Sequence, residues 1–241
     1  MSTTTELGSG AMFDRIAHRY DLLNRLMSFG LDRAWRRRQV GLLAAPLARG
    51  ARVLDLATGT GDVAIEALRQ RPDLRVVGLD PSPRMLACAA AKCAEIEWVE
   101  GDAQRLGFPD ASFDGASMSF GIRNVPDRDA ALREIRRVLA PGARLVLMEL
   151  NEPTGLLAWP ARIHIRYLVP LLGAALVSRA EYDYLQRSIR AFPPPEGFAA
   201  QLRAAGFVEV EWHPVMFGVA TLFVGVRPAQ SEGLQRKIPP P

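Results

Sequence analysis

From residue 51 the chain alternates short apolar runs with longer amphipathic ones. "ARVLDLA" (51–57), "LRVVGLD" (74–80), "IEWVEGD" (96–102), "FDGASMSF" (113–120) and "ARLVLMEL" (143–150) read as strands, with helical spacing between them at 62–70, 82–94 and 127–139. Strands that are apolar throughout, each followed by a helix or a loop, predict a mostly parallel sheet covered on both faces. Ahead of this block, "MFDRIAHRYDLLNRLMSFGLDRAWRRRQVGLLAAPL" places apolar residues at helical intervals and predicts two or more helices. After it come a mostly helical stretch (about 155–205) and two closing strands, "FVEVEWHP" (207–214) and "GVATLFVGVR" (218–227).

The resulting plan is a single α/β domain over 11–227. It divides into N-terminal helices (11–48), a core (49–153), a helical insertion (154–206) and closing strands (207–227). Residues 1–10, small and polar, are expected to be disordered, and 228–241, rich in proline, to form a flexible tail. A length of 241 residues, nearly half of them hydrophobic, suits one large domain.

Charge changes this picture little. The net charge of +4 comes from arginines scattered through helical segments, with Lys92 and Lys237 the only lysines, so nucleic acid is not an expected partner. Cys88 and Cys93, five apart, match neither a disulfide framework nor a metal site, and no metal is expected. The longest apolar stretch, "YLVPLLGAALVS" (167–178), is too short to span a bilayer, and no signal-peptide pattern opens the chain. A cytoplasmic protein is expected, in solution or peripheral on the inner face of the membrane.

The first strand runs into "DLATGTGD" (55–62). Asp55, Gly59 and Gly61 are candidate cofactor contacts, the glycines permitting a tight turn that a ligand can approach closely, facing a helix N-terminus. The glycines alone also fit a dinucleotide site. Asp80, ending the second strand, can accept both hydroxyls of an adenosine ribose, which suits NAD and S-adenosylmethionine alike. The third strand ends in "GDA", with Asp102 and Ala103 placed to meet an adenine. The fourth ends in "SFGIRNVPD" (119–127), which presents Ser119, Arg123 and Asn124 at the sheet's edge.

"FDRIAHRYDLLNRLMSFGLDRAWRR" (13–37), "SFGIRNVPD", "RVLAPGARLVLMELNEP" (137–153) and "YDYLQRSIRAFPPPEGFAAQLRAAGF" (182–207) together resemble the ubiquinone/menaquinone biosynthesis C-methyltransferases, over roughly residues 12–227. The resemblance implies the class I methyltransferase fold, Rossmann-like, with a mostly parallel seven-stranded sheet between helices. It implies S-adenosylmethionine as cofactor, with contacts at Thr60, Asp80, Asp102, Ala103 and Ser119, and a polyprenyl hydroquinone as acceptor, methylated on a ring carbon. The chain departs from the family's usual pattern at Thr58, at "ELNEP" and at Phe223.

Demethylmenaquinol is the expected acceptor, with 2-methoxy-6-polyprenyl-1,4-benzoquinol, another small apolar acceptor, or a non-catalytic nucleotide-binding role as alternatives. Self-association is left open. Arg123 and Asn124 are expected to orient the quinol, with Arg123 otherwise pairing a carboxylate such as Asp127. Candidates for the base are His18, Tyr20, His164, Tyr182 and Tyr184, of which Tyr184 joins Arg123 and Asn124 as a catalytic candidate. The run 163–178, with Leu168, Leu171, Leu172 and Leu176 at helical spacing, is either a wall for the isoprenoid tail or core.

Overall fold

The structure is a computed structural model and describes residues 10–28, 30–152 and 179–229. Two helices, α1 (Gly10–Met27) and α2 (Asp32–Ala44), precede the alternating part. That part runs β1 (Arg52–Leu56), α3 (Asp62–Gln70), β2 (Arg75–Asp80), α4 (Pro83–Lys92), β3 (Glu97–Glu100), β4 (Phe113–Ser119), α5 (Arg128–Val138) and β5 (Leu139–Leu150). Helices α6 (Arg179–Ala191) and α7 (Pro195–Ala204) follow, then β6 (Val208–Val215) and β7 (Ala220–Val226).

The seven strands form one sheet in the order β3-β2-β1-β4-β5-β7-β6. β1 to β5 are mutually parallel, and β7 lies antiparallel between β5 and β6. The order reverses between β1 and β4, so their carboxyl ends open a crevice at the position where ligands bind in open α/β sheets.

Alternation along the strands divides the core in two. Leu54 and Leu56 face Leu132, Ile135, Phe198 and Leu202 of α5 and α7. Val53 and Val76 face Val40 and Leu43 of α2 and Val63 and Ala67 of α3. The helix starts are fixed locally: Ser82 caps α4 by accepting from Met85 N, ahead of Pro83, and Asp127 caps α5 by accepting from Ala130 N.

Several expected boundaries shift. Helix α1 begins at Gly10, one residue inside the stretch expected to be disordered. The third strand ends at Glu100, because Asp102 turns to bind Gln104 and Asp102 bridges to Arg105. The fifth strand begins at Leu139, which pairs with Phe113 ahead of an irregularity in register. The last strand begins only at Ala220, because Met216, Phe217 and Gly218 all have positive φ and break the extended backbone. The run 163–178, His164 and the four leucines singled out there lie outside the described residues.

Candidate active site

The turn after β1 is built from unusual backbone. Ala57, Gly59 and Gly61 have φ of 47°, 57° and 83°, so the two glycines stand where side chains are strained. Gly61 has a second reason to be glycine: a Cβ there would lie 2.5 Å from Trp98 Cη2, and one at Gly78 on β2 would also strike that ring. Trp98 Nε1 donates to Cys93 O at 2.9 Å, which pins the indole against both glycines. Gly78 and Trp98 went unnoticed in the sequence, since nothing local marks them as a pair.

Asp55 is buried beneath the turn. Its carboxylate accepts from Thr58 Oγ1 at 2.6 Å and Ser117 Oγ at 2.7 Å. Burial pushes its pKa up to about 6, against the lowering effect of those bonds and of a bond from the Ala64 amide. Asp55 thus braces the turn from beneath, accepting from Thr58, Ser117 and the Ala64 amide.

Asp80, 6 % exposed, accepts from Gly59 N at 2.8 Å on one oxygen and from Ser82 N at 2.9 Å on the other. These amides fix the carboxylate's plane and leave further lone pairs unused. Burial raises its pKa to about 6, which the two amides only partly oppose. A desolvated carboxylate with too few donors is a good fit to the vicinal diol of a ribose, and S-adenosylmethionine carries that diol. The start of α3 adds to the fit, since Gly61 offers no side-chain cap to the first amides of that helix.

Helix α1 covers this turn. Asp21 accepts from Thr60 Oγ1 at 2.5 Å and pairs with Lys92, which also reaches Asp62 at 2.8 Å. Asp14 accepts from Ser82 Oγ at 2.5 Å and Arg84 N at 3.2 Å. Thr60 is thus 3 % exposed and held by α1. Of the adenine-side candidates, Ala103 is buried, while Asp102 is exposed and bonded to the Gln104 amide at 2.9 Å. Ser119 donates to Gln39 Oε1 at 2.6 Å, and the fully buried Gln39 amide bridges Met118 O and Val146 O at 3.2 Å each. A glutamine within an arginine-rich helix gave no sign of this position.

Beyond β4 the backbone turns sharply. Phe120 has φ of 56°, and a short 3-10 turn, Ile122–Asn124, follows. Both Arg123 Nη1 and Asn124 Nδ2 donate to Phe120 O, at 2.7 and 3.3 Å. Arg123 Nη1 also pairs with Glu149 Oε1 at 2.6 Å, with Glu149 fully buried, and Arg123 N donates to Glu149 Oε2 at 3.1 Å. Arg123 thus pairs with a carboxylate, as the alternative reading had it, but with Glu149 near the end of the neighbouring strand and not with Asp127, which caps α5. Arg123 Nε is buried without a partner, as is Oγ1 of Thr221, the residue opposite Glu149 on β7.

The three catalytic candidates come together. Tyr184 Oη, on α6, donates to Asn124 Oδ1 at 2.9 Å. Burial raises the Tyr184 phenol's pKa, with Arg123 lowering and Glu149 raising it, so Tyr184 is neutral at physiological pH and suited to hydrogen bonding rather than to taking a proton. Burial likewise raises the pKa of Tyr20, which the bond with Asn24 and the charges of Arg123 and Arg36 oppose, and its ring lies against Gly59. His18 is exposed, and its Nδ1 lies 4.0 Å from Cys88 Sγ. The Tyr182 side chain is outside the described residues.

A family model, the ubiE/COQ5 methyltransferase family, matches residues 1–227. The demethylmenaquinone methyltransferase of Thermus thermophilus is 45% identical over 223 residues, 90% of this chain and 100% of that protein. The ubiquinone/menaquinone biosynthesis C-methyltransferase UbiE of Rubrivivax gelatinosus is 47% identical over 220 residues, 90% of this chain and 86% of that protein. In fold, an S-adenosylmethionine-dependent methyltransferase from Thermotoga maritima superposes with a TM-score of 0.63 at 21% identity, covering 90% of this chain and 98% of the other. The seven-stranded architecture, the glycine turn and these similarities agree, and the chain belongs to the ubiE/COQ5 methyltransferase family.

Proposed function

We propose that the chain transfers the methyl group of S-adenosylmethionine to a ring carbon of a polyprenyl hydroquinone, converting demethylmenaquinol to menaquinol. Methyl transfer follows from the family; the acceptor and the residue roles are the proposal. The observation that carries it is the convergence of Arg123, Asn124 and Tyr184 at the strand end beside the Asp80 turn, in a chain whose relatives bear quinone-methylating names.

Asp80, the turn through Gly59 to Gly61, Ala103 and Ser119 would hold the cofactor, with Asp102 at its adenine edge. When bound, S-adenosylmethionine supplies a methyl group already activated by a positive sulfur. The protein's task is then alignment and exclusion of water. Arg123 stabilises the acceptor's phenolate, which has an ordinary pKa of about 10 for a phenol and is scarce at neutral pH. Arginine remains protonated and acts as a fixed cation, held in place by Glu149. Asn124 and Tyr184, bonded to each other, orient the ring oxygens. The ring carbon forms its new bond to the methyl, the carbon–sulfur bond breaks, and the proton displaced from the ring carbon leaves to solvent or to a nearby base.

The benzoquinol acceptor of ubiquinone synthesis is the second reading, favoured by relatives named for both quinones. An isoprenoid tail also requires contact with lipid, and no helix among the described residues is long and apolar enough to cross a membrane, so attachment would be peripheral. Incubation with isotopically labelled methyl donor and each reduced precursor, read by product mass, tests the assignment. Labelled menaquinol is the expected product; label in the benzoquinol alone would select the second reading, and label in neither would reject both.

A further inference from the structure

Helices α1 and α2 meet at a corner whose charges are sorted by the fold. Between residues 13 and 38 the sequence has three acids, Asp14, Asp21 and Asp32, and seven arginines. All three acids have partners within the chain: Asp14 in Ser82 and Arg84 N, the part-exposed Asp21 in Thr60 and Lys92, and the buried Asp32 in Ser28 and Arg36. Arg36 is buried with Asp32 and Asp62, and Arg15 and Arg37 have partners in Glu181 and Glu66. Among the described residues no ion pair engages Arg19, Arg25, Arg33 or Arg38, and all four are exposed. The two helices, already richer in arginine than in acid, thereby turn a cationic face outward.

Apolar side chains accompany that face. Leu22, 50 % exposed, lies three residues from both Arg19 and Arg25 on the outer side of α1. Leu31, 41 % exposed, opens α2 next to Arg33. This corner sits at the carboxyl edge of the sheet, because α1 bonds to residues just after β1 and β2, and α2 begins beside the start of α3. Phe217, 67 % exposed, occupies the β6–β7 turn at the same edge, since Ala220 pairs with Leu150 at the end of β5. Val208, the remaining large apolar side chain so exposed among the described residues, lies at the opposite edge, in register with Val226 and hence with Arg144 at the other end of that pairing. Of the exposed acids at the carboxyl edge, Glu100 and Asp102 lie at the end of β3, Asp127 follows β4 and Glu152 follows β5, while Asp183 stands on α6, whose Glu181 pairs with Arg15.

We propose that the outer face of the α1–α2 corner, through Arg19, Leu22, Arg25, Leu31 and Arg33 and with Phe217 at its flank, docks the protein on an anionic lipid bilayer. The inference rests on the proposed quinol acceptor for its purpose, since a tail-bearing substrate would enter beside the helix that covers the cofactor turn. It rests on charge complementarity for its partner. Cations without internal partners, interleaved with isolated apolar side chains, match a negatively charged headgroup layer with shallow insertion.

Flotation of the full chain with vesicles tests it. Binding to phosphatidylcholine mixed with phosphatidylglycerol, absent with phosphatidylcholine alone and falling with added salt, is the expected result. The combined R19Q, R25Q and R33Q substitutions should weaken that binding about a hundredfold, about fivefold for each charge, with melting temperature and S-adenosylmethionine affinity unchanged. Phe217→Ser and Leu22→Gln should each weaken it further. Failure of the wild-type chain to bind the anionic vesicles, or wild-type binding by the triple variant, would overturn the proposal. So would tighter binding to a random-sequence RNA than to vesicles. Turnover of a tail-less naphthoquinol by the same preparations reads the proposed function separately, because it requires no bilayer.

Discussion

At the scale of single residues, the two carboxylates near the ends of β1 and β2 have different tasks although burial raises both to about 6. Asp55 accepts from Thr58, Ser117 and the Ala64 amide beneath the turn, whereas Asp80 accepts from two backbone amides only, Gly59 N and Ser82 N, and keeps lone pairs for a ligand. Asp80→Ala should weaken S-adenosylmethionine binding by about ten- to a hundredfold or more, from the loss of charge-assisted bonds worth roughly 1.5–3 kcal/mol. Wild-type affinity by calorimetric titration, in a variant with an intact melting transition, would remove Asp80 from the site. Arg123 carries a structural duty as well as its proposed chemical one. Arg123→Gln leaves Glu149 buried and unpaired, and losing one partner of a buried pair costs about 3–5 kcal/mol. The double variant Arg123→Gln, Glu149→Gln should regain most of that stability. It should still transfer methyl at least about tenfold more slowly, since a phenolate would lose a charge-assisted bond of roughly 1.5–3 kcal/mol. Its rate should partly recover as pH rises and the quinol ionises unaided. Thermal melts paired with a pH–rate profile separate the duties; wild-type turnover by the double variant would leave Arg123 only the structural one.

At the scale of elements, Trp98 of β3 joins the sheet to the cofactor turn. Its ring fills the space that side chains at Gly78 on β2 and Gly61 at the head of α3 would need. Gly78→Ala forces the indole off its position, and overpacking of this kind costs roughly 1–3 kcal/mol. For a domain of this size that should lower the melting temperature by about 2–10 °C. Trp98→Leu combined with Gly78→Ala should recover part of the loss, which a calorimetric double-mutant cycle would measure; strictly additive losses would show that the two residues do not share this space. Helix α1 is tied to the same region by Asp14 and Asp21, and so places Tyr20 next to Gly59.

At the scale of the whole molecule, the raised carboxylates govern how stability varies with pH. Asp55 and Asp80 have folded values of about 6 against 3.8 when unperturbed, so the folded chain holds more protons than the unfolded one between these limits. Their contribution is therefore fully present below about pH 4 and is lost as pH rises through about 6. Glu66 and Glu134, held low by Arg69 and Arg137, act in the opposite direction: their contribution is present above the ordinary glutamate value and lost as pH falls below it. Without cofactor, the melting temperature should thus decline from pH 5 to 7, and Asp55→Asn should flatten that decline, as calorimetry across the range would show. An unchanged slope in Asp55→Asn would mean that this carboxylate is not protonated on folding.

Hydropathy patterning was enough to place the strands. Short apolar runs such as "VVGL", bounded by turn residues and alternating with helical segments, point to strands buried on both faces, and the glycines, Asp80 and the segment after β4 marked the crevice because turn conformation and strand-end position are local properties. The meeting of Arg123, Asn124 and Tyr184 was readable only as separate segments, since α6 lies some sixty residues from the turn it contacts. Tertiary structure alone decided which carboxylate Arg123 pairs with, that Gln39 serves Ser119, that Trp98 requires two glycines, and that Asp14 and Asp21 face inward. The physical reason is the same in each case. Periodicity specifies which face of an element is buried, but the partner of a buried polar group is set by the packing of elements distant in the chain, where an unpaired charge or a clashing Cβ costs several kcal/mol at most and leaves no periodic trace.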